Sequence, residues 1–183
     1  KLLKAGGVGA ARLREELGEY ARSRAIYEKL DLRAALARIA RYEKRWDDLE
    51  KIVATLTGAD AAAETAYLLI ERKKYAEARD LVEKAIPAHP SSARIAELRF
   101  SAGVACWFLD DRPRAHLHWC WVAENLPDDR LARRCYIAAA AEGMPYANPE
   151  LGEYRIDDSW GSIETIKEAY AKAKKNYDRL KGP

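Results

Sequence analysis

Valine, isoleucine and threonine are scarce in this chain of 183 residues, whereas 34 positions are alanine. β-Branched side chains favour strands and alanine is the best helix former, so the balance argues against a β-rich fold and for an all-α one. An excess of one charge is also missing. The net charge is +3 with 33% charged residues of both signs mixed along the chain, an ordinary solvated surface that predicts neither nucleic-acid binding nor membrane attachment. No apolar run approaches the ~20 residues that a membrane-spanning helix requires, so no membrane insertion is expected. Cysteine is sparse and odd in number. Cys106, Cys120 and Cys135 read as small core residues rather than a disulfide framework, which leans towards a reducing, cytoplasmic compartment over a periplasmic one. The first residue is Lys1, which fits a processed or truncated piece and leaves a lost signal peptide open.

Catalytic constellations are absent as well. There is no Gly-x-Ser-x-Gly nucleophile motif. Gly6-Gly7-Val8-Gly9 has neither dinucleotide nor P-loop spacing and no strand before it, so it reads as a helix start or frayed end. His116 and His118 stand two apart on a predicted helix and therefore point to different faces. Adding Cys120 gives His-x-His-x-Cys, whose neighbouring pairs are again two apart, whereas helical zinc ligands use spacings of three or four. Carboxylates are scattered over helix faces, where ion pairing accounts for them. The expectation is a protein that is not an enzyme, with no catalytic residue, no cofactor and no metal.

What the chain does contain is a repeated helical pattern, clearest over Glu64–Ser92. One amphipathic helix is predicted over Ala61–Arg72 and a second over Tyr75–Ile86. Ala62, Ala66, Ala78 and Ala85 allow close approach, and Leu69, Leu81 and Val82 fill the space between. Pro87 and Pro90 are expected to stop the second helix, because proline lacks the amide donor and clashes inside a helix. Poorer copies flank this unit. Leu17–Leu30 supplies a turn and a second helix, Leu32–Tyr42 a first helix, and Trp46 to Leu56 its partner, with Gly58 as a C-terminal cap. Ser92–Asp129 is another hairpin, in which Gly103 permits close helix contact and Trp119 sits between the helices. Asp111 and Pro113 signal the start of its second helix. Leu131–Glu142 opens a fifth unit that lacks a second helix.

The pattern resembles the tetratricopeptide repeat, a helix-turn-helix unit of about 34 residues. Tyr75 and Ala78 opening the second helix, Val82 and Ala85 along it, Pro90 at its end, and Thr65, Ala66 and Leu69 in the first helix carry the resemblance. Ala62 stands where the family has a tryptophan. The resemblance implies a right-handed α-solenoid of about four TPR-like hairpins over residues 1–142. An ordered connecting loop is expected over 143–161 and a C-terminal capping helix over 162–183.

In that family the first helix of each hairpin lines an inner groove that holds peptides. The alignment carries the groove positions onto Arg38, Arg41, Tyr42, Tyr67, Ile70, Glu71, Phe100, Val104, Trp107, Phe108 and Tyr136. The implied groove is basic in its N-terminal half and aromatic-apolar in its C-terminal half. Aromatic and arginine side chains are common interface anchors. The family's carboxylate clamp is not reproduced, because Arg38, Tyr67 and Val104 stand at its asparagine positions. The expected function is a non-catalytic scaffold or adaptor that binds another protein or peptide. The alternative is a structural subunit permanently embedded in a larger secretion, pilus or envelope assembly.

Overall fold

The computed structural model describes residues 7–140 and 163–180. Among the described residues there are ten α-helices and no strand. They are α1 (Val8–Glu16), α2 (Tyr20–Lys29), α3 (Arg33–Tyr42), α4 (Trp46–Val53), α5 (Gly58–Glu71), α6 (Tyr75–Ala88), α7 (Ile95–Phe108), α8 (Arg112–Asn125), α9 (Ala132–Ala140) and α10 (Ile163–Leu180). The all-α expectation from alanine content therefore holds. Each odd-numbered helix packs on the even-numbered helix that follows, and the pairs are linked through α2–α3, α4–α5, α6–α7 and α8–α9 contacts. The expected loop over 143–161 lies outside the described residues.

One turn recurs. After α1, α2, α3, α5 and α7 the chain passes through a left-handed residue: Gly18 at φ 74°, Asp31 at 48°, Lys44 at 55°, Lys73 at 58° and Asp110 at 61°. In each case that residue's N–H bonds three positions back and the next N–H bonds five positions back, as in Lys73 N–H to Ile70 O (2.9 Å) and Lys74 N–H to Leu69 O (2.8 Å). This double bond satisfies carbonyls that a helix C-terminus would otherwise leave unpaired. Only one of the five positions is glycine, which is why composition alone does not reveal the motif. A left-handed non-glycine residue costs about 1–2 kcal/mol, and glycine returns part of that as lost chain entropy. Lys73→Gly is thus expected to raise stability by ~0.5–1 kcal/mol, measured by urea unfolding; a loss of stability would contradict this account.

Several boundaries differ from the sequence expectation. α6 runs through Pro87 to Ala88, because the donor that proline lacks falls in the last turn, where His89 N–H closes onto Ala85 O at 3.0 Å. Gly58 does adopt a left-handed backbone, φ 60°, but it begins α5; α4 has already ended at Val53. α8 starts as expected, with the Asp111 carboxylate accepting from Arg114 N–H at 3.2 Å and Pro113 in the first turn.

The core is a series of clusters along the chain. Ala11, Ile26, Tyr27 and Ile39 join α1–α3; Ala37, Leu49 and Leu68 join α3–α5; Ala63, Val82 and Leu98 join α5–α7. The largest cluster unites α7, α8, α9 and α10 around Trp119, Cys135 and Tyr170. On α10, Ile166, Tyr170, Ala173 and Tyr177 are buried while Leu180 is exposed, and the helix packs on both α8 and α9. Among the described residues no helix is long and apolar enough to cross a membrane.

Candidate functional site

Two polar constructions dominate one side of the N-terminal helices. The first is a buried ionic network between α3, α5 and α7. Glu64 is fully buried, with Arg94 Nη2 2.5 Å from its Oε1 and Arg41 Nη1 3.5 Å from its Oε2. Arg94 also reaches Asp60 at 2.8 Å and Glu97 at 2.5 Å. Arg130, just before α9, closes the network onto Glu97. Burial pushes the Glu97 carboxyl up, but Arg94, Arg41 and Arg130 outweigh it and leave the group below its ordinary range.

The second is a cleft of about 560 Å³. Arg12, Glu15 and Glu16 of α1, Tyr20 of α2, Arg38 and Tyr42 of α3, and Arg130 line it. Its floor is neutralised internally. Arg38 grips Glu15 through Nε to Oε1 at 2.5 Å and Nη2 to Oε2 at 2.8 Å, and the Tyr27 hydroxyl donates to the same carboxylate at 3.0 Å. Burial works against the ionised Glu15, yet the hydrogen bond and charge of Arg38 hold its carboxyl below the usual range. The rim is aromatic and more open: Tyr42, 38% exposed, lies 5.6 Å from the Tyr20 ring and accepts a hydrogen bond from Arg130 at 2.9 Å.

These carboxylates set a pH dependence. A carboxyl held below its unfolded value near ~4.3 stabilises the fold above that pH, and the contribution disappears as pH falls through the folded value. The melting temperature is expected to be flat from about pH 7 to 5 and to fall steeply below about pH 4. In Arg38→Ala the acid-side fall should be shallower, since Glu15 then loses its depressed value; an unchanged profile would contradict the assignment.

The expected groove residues divide into two groups. Arg38 and Tyr42 line the cleft, and Arg41 lies 5.5 Å from the Tyr42 ring and 4.9 Å from the Tyr67 ring. Tyr67 stacks on Trp46 at 6.1 Å, and burial, then the charge of Glu71, pushes its hydroxyl up to about 12. Glu71 is exposed. The basic half of the expected groove is charge-compensated, because Glu15 occupies Arg38 while Glu64 and Glu97 occupy Arg41.

The aromatic half is turned into the large core cluster. Val104 is buried at 4% exposure and has no surface to offer. Ile70, Phe100, Trp107, Phe108 and Tyr136 pack partly buried against that cluster. Phe108 stacks on Tyr75 at 4.4 Å, Tyr136 on Tyr170 at 4.0 Å, and Trp107 lies 5.6 Å from Trp119 with Arg112 3.5 Å over its ring. Arg134 lies 5.6 Å from the Phe100 centroid.

Sequence reading missed Glu15, Tyr20, Glu64, Glu97 and Arg130. One signal was available for Glu64: it stands midway between Asp60 and Leu68 at helical spacing, a carboxylate on the stripe that Leu68 buries. Arg130 gives no such signal, because its contact with Tyr42 spans 88 positions. The all-helical fold and the open, aromatic-rimmed cleft define the chain as far as geometry does. No protein-family model, curated protein or solved structure matches it.

Proposed function

We propose that this chain is a non-catalytic protein-interaction scaffold, built as a right-handed TPR-like solenoid of about four helical hairpins with α10 as its C-terminal cap. One left-handed capping turn recurs within each of the four hairpins, after α1, α3, α5 and α7, and once between hairpins, after α2; its presence in all four supports the repeat reading. The cleft of about 560 Å³ carries the functional reading, since it is open, rimmed by Tyr20 and Tyr42, and sized for a few residues of an extended peptide. Arg12 and Glu16 are exposed on its edge and have no ion-pair partner among the described residues. They suit a partner segment that presents one charge of each sign.

The test is affinity capture from a native extract with the wild type and with Arg12→Ala/Tyr42→Ala, whose positions are exposed. Recovery of one discrete protein by the wild type and its loss in a variant of unchanged helicity and melting temperature is the expected result. Recovery of the same large complex by both would favour the permanently embedded subunit instead.

A further inference from the structure

Where α7 packs between α6 and α8, three side chains of different chemistry converge. A carboxylate oxygen of Glu83, Sγ of Cys106 and a ring nitrogen of His118 all lie within 4.8 Å of one another. His118 is 7% exposed, and its Nδ1 is buried without a hydrogen-bond partner. A buried polar atom left unpaired costs about 1–3 kcal/mol, so a buried imidazole with an unsatisfied nitrogen, its ring beside a thiol and a carboxylate, calls for a ligand. Cys106 is fully buried and free.

We propose that Glu83, Cys106 and His118 bind one Zn²⁺ ion, with water in the fourth position. Nitrogen, sulfur and oxygen donors together suit zinc, and its bond lengths of ~2.0–2.3 Å place tetrahedral ligand atoms roughly 3.3–3.7 Å apart. Side-chain movements of about 1 Å reach that geometry from the observed cluster. One ligand comes from each of three helices, so the ion ties α6, α7 and α8 together. Burial, with the charges of Arg99 and Arg114, depresses the His118 imidazole to about 3, which keeps it neutral and its lone pair available. Burial pushes the Cys106 thiol up to about 12, so binding releases the thiol proton to solvent as the sulfur–zinc bond forms. No electron transfer is involved. The thiolate and the Glu83 carboxylate together neutralise the ion.

Positive groups face the site from the same helices. Arg114 Nη1 is 3.6 Å from Glu83, but its Nε also lies 3.3 Å from Asp111. Arg79 pairs with Asp80 at 2.8 Å. Both arginines keep a partner when Glu83 turns to a metal. Arg99 stays stacked 3.8 Å over Trp121. The Glu83 side chain is 33% exposed and provides the entry path.

The test uses the full chain after chelator treatment. Co²⁺ is expected to bind at one equivalent with a sulfur-to-cobalt charge-transfer band and intense tetrahedral visible bands. Zn²⁺ should displace it, and competition with a chromophoric chelator gives the zinc affinity. Cys106→Ser should abolish the charge-transfer band, and Glu83→Gln should weaken zinc at least ~10-fold with unchanged helicity. Because Glu83 is partly exposed, that variant decides the matter if Cys106→Ser does not fold. Cys120→Ala should keep the site. Absence of the cobalt bands, full retention of affinity in Glu83→Gln, or loss of the band in Cys120→Ala would each overturn the proposal.

Discussion

Glu64→Ala is expected to destabilise the protein by about 3–5 kcal/mol, because it leaves Arg41, Arg94 and Arg130 facing only Glu97 and Asp60, with one buried positive charge uncompensated. Glu64 is fully buried, and Arg41 and Arg94 face it with only 11% and 12% of their side chains exposed. Neither arginine can discard its charge or turn fully to water. For a chain of this length the loss corresponds to a fall in melting temperature of roughly 6–20 °C. Glu64→Gln keeps an acceptor of the same shape beside Arg94 and should lose less. Combining Glu64→Leu with Arg41→Met replaces an ion pair by apolar groups of similar volume, and should recover part of the loss. Chemical denaturation of the four proteins provides the measurement. A Glu64→Ala value below about 1 kcal/mol would show that water reaches the network and screens it.

The second large effect is expected at Gly103. A Cβ built there would stand 2.1 Å from Trp119 Nε1 and 2.5 Å from Cδ1 and Cε2. The indole cannot yield: Trp119 is 1% exposed, its Nε1–H donates to Phe100 O at 3.2 Å, and Trp107 packs beside it. Gly103→Ala therefore forces α7 and α8 apart, or drives the ring from its pocket and orphans the indole donor. Overpacking of a close-packed core typically costs 1–3 kcal/mol, and adding a lost hydrogen bond brings the expected loss to about 3–4 kcal/mol. Gly103→Ala/Trp119→Leu should be less destabilised than the sum of its single variants, because leucine vacates the space the methyl needs. Additivity between the two would mean that the glycine serves the backbone of α7 and not the tryptophan.

Both effects bear on what could be read in advance. Gly103 was legible as a position of close helix contact and Trp119 as a ring between the helices, each through the resemblance to the repeat; that the two meet was not. Helix existence was legible almost throughout, because alanine content and apolar periodicity are local properties. Glu64 was not, because a carboxylate on a helix face looks solvated until a neighbouring helix buries it. The aromatic stripe Phe100, Val104 and Trp107 has the spacing of either a groove or a core seam. The rings of Trp119 and Tyr136 and the buried Cys135 place it on the largest core cluster.

The metal-ligand cluster illustrates the same division. Along α8, His118 points away from His116 and Cys120, which share a face four positions apart, so the linear pattern does not single out His118 as a ligand. His118 meets Glu83 and Cys106 from two other helices only once the three are packed. Sequence by itself determined the helical class and the rough position of the helices, because propensity and periodicity act within a few residues. Tertiary structure alone decided which charges are buried, which aromatic rings meet water, and which donors converge. Those outcomes depend on contacts such as Tyr42 with Arg130, 88 positions apart, whose energies arise only when packing removes the solvent between them.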